Sequence, residues 1–157
     1  MSENKDKKKK IYTKVLFPID GSENATRALK KAMELQEKFK PEMIAYHAVE
    51  FKYLNNIIAY TMGMVDRNNL KKDIIRSGQK IIDDAKKIFE EHEDINIEFR
   101  LVKDENPVDY AKKVVEKEGI DLIVIGCKGH SKLENIFLGS TTEKILNDVD
   151  CDVLVVR

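Results

Sequence analysis

Residues 14–49 read KVLFPIDGSENATRALKKAMELQEKFKPEMIAYHAV, and the order of elements in this stretch decides the fold. Lys14 to Asp20 is a short apolar run closed by Gly21 and Ser22, the pattern of a buried strand. Ser22 is an N-cap for a helix in which Ala25, Ala28, Leu29, Ala32, Leu35 and Phe39 recur at spacings of three and four, and Pro41 ends it. Met43 to Val49 is then a second buried strand. Strand, helix and strand within about 35 residues is the spacing of a βαβ unit with parallel strands.

The same alternation continues outward from this unit. Residues 50–69 mix apolar side chains with Asn and Gly without a clean period and read as a loop with helical pieces. A helix runs from about Leu70 to Glu91 on the stripe Leu70, Ile74, Gly78, Ile81, Ala85 and Ile88. Ile95, Ile97, Phe99 and Leu101 alternate with polar residues, as in a half-exposed strand at a sheet edge. Asn106 as N-cap with Pro107 at the first helical position opens a helix that Gly119 stops. Asp121 to Ile125 is the most apolar strand and so central and parallel. Ser140 to Asp148 forms the last helix and Asp152 to Val156 the fifth strand. The expected fold is an α/β doubly wound sandwich, a five-stranded, mostly parallel sheet with helices on both faces. In such a sheet ligands sit beyond the carboxyl ends of the strands, where the strand order reverses. That narrows the search to Asp20, His47 to Glu50, and the segment beginning at Gly126.

Composition bounds the function. A chain of 157 residues with 42% hydrophobic and 36% charged residues fits one soluble domain, and no run reaches the roughly 18 apolar residues of a membrane span. Lys and Arg number 28, as do Asp and Glu, so the uniform positive field of a nucleic-acid-binding protein is missing. The local exception is residues 1–10, where five lysines face Glu3 and Asp6; this lead-in reads as disordered, and residues 11–157 as a single domain. The expected location is the cytoplasm, with neither membrane nor nucleic acid as partner. The lysine and glutamate content leans towards a thermophile. Cys127 and Cys151 have no CxxC spacing and read as free thiols, Cys127 being the more exposed to reaction beside Lys128.

The segment 126–141, GCKGHSKLENIFLGST, carries the chemistry. Gly126 and Gly129 can adopt positive φ and bring backbone N–H groups close to an anion. Gly139, Ser140 and Thr141 open a helix whose free N–H groups and positive dipole end suit a phosphate, provided both ends of the loop converge on one ligand. Ser131 stands where a Walker loop needs its second glycine, and there is no GxGxxG. Glycine spacing by itself is equally compatible with turns and caps.

The pattern Gly126-x2-Gly129-x9-Gly139-Ser140, set between DLIVIG and the terminal CDVLVVR, resembles the ATP-binding branch of the universal stress protein family. VLFPIDGSENATRALKKA, HAVE and NPVDYAKKVVEKEGIDLIVIG extend the resemblance from about Lys14 to Arg157. It implies a Rossmann-like, adenine nucleotide alpha hydrolase-like fold with the nucleotide across the carboxyl edge of the strands. By position, Asp20 would meet the ribose or, through water, a divalent metal, Mg2+ or Mn2+; Pro18 and Ile19 would border the base. The backbone of Ala48 would meet the adenine edge, where the family often has a larger apolar residue. Gly126, Gly129, His130, Gly139, Ser140 and Thr141 would hold the phosphates of ATP, with AMP or ADP as alternatives.

What the chain does with a nucleotide divides into two readings. In one, ATP sets the state of a regulatory switch read by an unidentified protein partner. In the other, the chain hydrolyses ATP slowly or transfers its adenylyl group. No Walker lysine, HxGH signature or Ser-His-Asp set supports fast chemistry, so no catalytic residue is assigned. His47 reads as a satisfied core histidine, and Met62 and Met64 as either a partner surface or the cover of a sheet edge. The apolar strand 152–156 has little charge to guard it, which predicts a homodimer through antiparallel pairing of that strand; the family resemblance implies the same.

Overall fold

The structure, a computed structural model, describes residues 11–129 and 138–157. The lead-in 1–10 and His130 lie outside these residues. The chain runs β1 (Lys14–Pro18), α1 (Glu23–Phe39), β2 (Glu42–Val49), α2 (Leu54–Tyr60), α3 (Arg67–Lys87), β3 (Ile97–Lys103), α4 (Pro107–Glu118), β4 (Leu122–Gly126), α5 (Ser140–Asp148) and β5 (Asp152–Val156). The five strands form one sheet in the order β3-β2-β1-β4-β5, and every pairing is parallel.

Period-two alternation sorts the core into two layers. Val15, Phe17, Met43, Ala45, Leu122 and Val124 point to one face, where they meet Ala28, Leu29 and Ala32 of α1 and Ile82 and Ala85 of α3. Leu16, Ile44, Tyr46, Ile123 and Ile125 point to the other, against Val108, Ala111 and Val114 of α4 and Ile145 of α5. The central strands are therefore apolar on both faces, while β3 and β5 close the sheet at its edges.

Local signals set most helix ends. Ser22, Asp66 and Asn106 each accept a backbone N–H at the start of α1, α3 and α4. Lys40 and Gly119, both left-handed, end α1 and α4. Differences from the sequence reading lie at strand ends and in α3. β1 stops at Pro18, leaving Ile19 and Asp20 as its exit; β3 lies two residues later than expected; and α3 begins earlier, at the Asp66 cap, and ends at Lys87. Residues 54–60 form one helix in the stretch read as a loop with helical pieces. Met62 and Met64 are each 89% exposed and so cover no sheet edge.

Asp121 does not extend β4 but clamps β1. Its carboxylate accepts the Thr13 amide at 2.8 Å, the Thr13 hydroxyl at 2.6 Å and the Lys14 amide at 3.0 Å. Burial alone would raise its pKa, but these donors together outweigh burial and hold it below the ordinary 3.8. A depressed carboxylate stabilises the fold above the unfolded-state pKa, and that stability is lost as pH falls through the lower folded-state value. Asp121→Ala should cost about 1–2 kcal/mol at neutral pH. In urea titrations the gap to wild type should narrow below about pH 4; a gap constant down to the acid limit would remove the charge from the account.

Candidate functional site

The chain passes from β1 through β2 to β3 on one side, then returns to place β4 against the free side of β1. The carboxyl ends of β1 and β4 thus flank the reversal of strand order, and a cleft of about 300 Å³ opens there. Its first wall is the exit of β1. The Ile19 amide donates to the Tyr46 carbonyl at 2.9 Å, which holds Pro18, Ile19 and Asp20 beside β2. One Asp20 oxygen, Oδ1, accepts the Ser22 amide at 2.9 Å across the left-handed Gly21. Ser22 in turn caps α1, so the carboxylate is fixed by the strand-to-helix turn.

The second wall is β2. His47 Nδ1 lies 2.8 Å from the Ile19 carbonyl. A carbonyl oxygen only accepts, so Nδ1 carries a hydrogen and donates it. His47 is half-buried and lines the cleft with Ala48, rather than sitting in the core as its strand position suggested. Tyr46 is buried, and its hydroxyl donates to the Pro107 carbonyl at 2.6 Å, drawing the start of α4 to the cleft. Burial pushes the Tyr46 phenol far above its ordinary range, so it remains a neutral donor.

The third wall brings together the two described ends of the glycine-containing loop. Gly139 N–H donates to the Cys127 carbonyl at 2.8 Å, and the buried Thr142 hydroxyl donates to the Gly126 carbonyl at the same distance. These bonds seat the start of α5 against the end of β4. Among the described residues no side chain caps α5, unlike α1, α3 and α4, and Ser140, Thr141 and Thr142 of its first turn line the cleft. Their backbone donors and the helix dipole make this wall electropositive. Among the described lining residues, Lys128 is the cation and Asp20 the carboxylate.

Two glycines matter for a reason other than the expected one. Positive φ is found among the described glycines at Gly21, Gly63 and Gly119, not at Gly126 or Gly129. Crowding is what excludes a side chain. A Cβ on Gly126 would lie 2.6 Å from the Asn24 carbonyl carbon, where β4 abuts the first turn of α1. A Cβ on Gly129 would overlap Oδ2 of Asp20.

Pro18, Ile19, Asp20, Ala48, Gly126, Gly129, Gly139, Ser140 and Thr141, nine of the ten positions singled out from the sequence, line this one cleft. Sequence reasoning missed Ser22, Tyr46, Pro107, Lys128 and Thr142 and set His47 aside. Lys128 was findable between two glycines, whereas Tyr46 and Pro107 come from elements whose proximity only the topology reveals. Cys127 and Cys151 are both free, as read from the sequence; Cys127 is buried, which removes the exposure to reaction that its place beside Lys128 suggested, and burial pushes the half-buried Cys151 thiol up to about 11.

An all-parallel α/β sandwich with a cleft at its switch point, walled by a helix N-terminus that no described side chain caps, is a doubly wound fold whose cleft offers backbone donors to an anionic group. The profile of the universal stress protein family matches residues 11–157, and the chain belongs to that family. Universal stress protein MJ0531 of Methanocaldococcus jannaschii is 30% identical to it, over 94% of this chain and 83% of the relative. The solved structure of MJ0577, from the same organism, superposes with a TM-score of 0.71 at 28% identity, covering 93% of this chain and 96% of that one. A universal stress protein crystallised in complex with cAMP is 25% identical, with a TM-score of 0.57 over 93% of this chain and 97% of that one.

Proposed function

We propose that this chain is an adenine nucleotide-binding regulatory module, with ATP as the ligand and AMP or ADP as alternative occupants. The observation that carries the reading is the convergence of both ends of the Gly126–Thr141 segment on a cleft shared with Asp20 and Ala48. About 300 Å³ is at the small end of ligand sites, and the lining divides as a nucleotide divides. Pro18, Ile19 and Ala48 offer an apolar slot for the base, and the backbone of Ala48 meets its edge. Asp20 accepts from the ribose. Gly126, Gly129, Gly139, Ser140 and Thr141 surround the phosphates. The relative crystallised with cAMP supports an adenine ligand.

A divalent cation, Mg2+ or Mn2+, fits only as a companion of the nucleotide. Among the described residues no cluster of three or more His, Cys, Asp or Glu could hold a metal. Asp20, through water, and the phosphates would hold it, in keeping with the habit of Mg2+ to retain waters and take few protein ligands. Residues 11–157 act as one nucleotide-binding domain, and an unidentified protein partner reads the state of the loop. Two copies pair their β5 edges, where Leu154 is 41% and Leu146 of α5 40% exposed. Among the described residues no helix is long and apolar enough to cross a membrane, and a cytoplasmic location is part of the proposal.

Saturating ATP with Mg2+ should raise the thermal midpoint. A hundredfold excess over Kd is worth about 2.7 kcal/mol, which is about 5–10 °C for a chain of this size. GTP should do less. A midpoint unmoved in folded, nucleotide-free protein would end the nucleotide reading. Sedimentation of the same preparation should give a dimer, and a monomer well above micromolar concentration would end the β5 pairing.

A further inference from the structure

Beside β3, on the far side of the sheet from the proposed dimer edge, a shallow groove of about 860 Å³ runs between this strand and the outer face of α3. Ile75 and Leu101 are its apolar lining residues. Lys72, Arg76, Lys80, Lys87 and Lys103 line it against Asp83 and Asp84, a local excess of three positive charges. Outside its first ten residues the chain carries a net charge of −3, so the groove is cationic on an otherwise acidic protein. Lys72 and Lys103 have no acidic partner among the described residues. Arg76, Lys80 and Lys87 pair with Asp73 or Asp84 at 3.5, 2.5 and 2.9 Å, but these are exposed pairs along one helix. Such pairs contribute little in water and exchange readily for another carboxylate.

We infer that this groove docks an extended acidic segment of a partner protein, added to the sheet as a strand beside β3. Two geometric facts favour that occupant. Among the described residues β3 pairs with β2 alone, so the N–H and C=O groups along its other side are available to an incoming backbone. Lys72, Arg76 and Lys80 follow one another at intervals of four on α3, about 6 Å along the helix axis. Side chains on one face of a strand repeat every 6.7 Å or about that. A segment with a carboxylate at every second position therefore meets the stripe in step, while its backbone meets β3. Nucleic acid fits less well, because among the described residues no aromatic side chain lines the groove on which a base would stack. This inference is independent of the nucleotide reading.

The probe is an end-capped, fluorescent peptide of alternating glutamate and valine, about eight residues long. It is titrated with the full chain and read by anisotropy. Saturable binding that weakens as salt rises is expected. Lys72→Glu with Lys103→Glu should lower the affinity about tenfold or more by placing like charges opposite the peptide. Both side chains, one on α3 and one at the end of β3, are exposed and have no acidic partner among the described residues, and circular dichroism checks the fold; Lys72→Gln with Lys103→Gln gives the same direction without added repulsion. Methylating alternate peptide amides should weaken binding by a similar factor, because it removes ladder donors. The inference fails if the peptide does not bind saturably, if the charge variants bind it as wild type does, or if the methylated peptide binds equally. Tighter binding of a single-stranded oligonucleotide than of the peptide would also overturn it.

Discussion

Gly129→Val should abolish measurable binding of ATP with Mg2+ while shifting the denaturation midpoint by no more than about 1 kcal/mol. Unlike a buried core position, this residue has one neighbour among the described residues in the way of a side chain, Oδ2 of Asp20. That oxygen is the far end of a side chain and not backbone, so turning it aside gives up the local hydrogen bond from the Ser22 amide and leaves the core packing in place. The proposed site is not spared. Turning the carboxylate away removes the acceptor placed for the ribose, where a hydrogen bond to a charged group is worth about 1.5–3 kcal/mol. The branched side chain then occupies the approach to the backbone donors of the loop. Together the losses should exceed a hundredfold in Kd, since each tenfold is about 1.4 kcal/mol. Gly129→Ala displaces the carboxylate without filling the approach and should fall between the two. Titration calorimetry that returned the wild-type Kd for the valine variant would show that the ligand does not pass this loop.

The expectation for Gly129 illustrates what the sequence disclosed and what it withheld. Glycine spacing marked the position, but the reason for glycine is a carboxylate contributed from more than a hundred residues away, which no local pattern encodes. Features set by adjacent residues were legible. Asn106 and Pro107 opened α4 and Gly119 closed it, and both α5 and β5 were bounded as the sequence suggested. Features set by a neighbouring strand were less so. Ile95 shares the alternation of β3, but β3 begins at Ile97, the residue paired with Met43 of β2, and Ile95 remains in the preceding turn. Asp121 has the sequence context of a strand residue, yet its carboxylate is spent on Thr13 and Lys14. His47 falls where alternation alone cannot separate core from cleft, because the end of β2 is both.

Gly126→Ala should act in the opposite way, through the fold. Its Cβ would stand 2.6 Å from the Asn24 carbonyl carbon, 2.8 Å from the Asn24 oxygen and 2.9 Å from the Ala25 nitrogen. All three are backbone atoms in the first turn of α1, so no rotamer relieves the overlap, and either β4 or the helix must shift. Overpacking of a tight core typically costs about 1–3 kcal/mol, and contact with backbone on a buried central strand puts this variant at or above about 3 kcal/mol. Gly63→Ala is the fitting control. A Cβ there meets nothing within 4 Å, and only the left-handed φ of +75° opposes it, at about 1–2 kcal/mol. Urea midpoints of the two variants separate steric from conformational cost. Because α1 starts at the Ser22 cap whose amide holds Asp20, displacing the helix also disturbs the cleft. Gly126→Ala should therefore lose stability and ligand affinity together, whereas Gly129→Val loses affinity alone. A Gly126→Ala protein as stable as wild type would mean that β4 and α1 do not approach as closely as this packing requires.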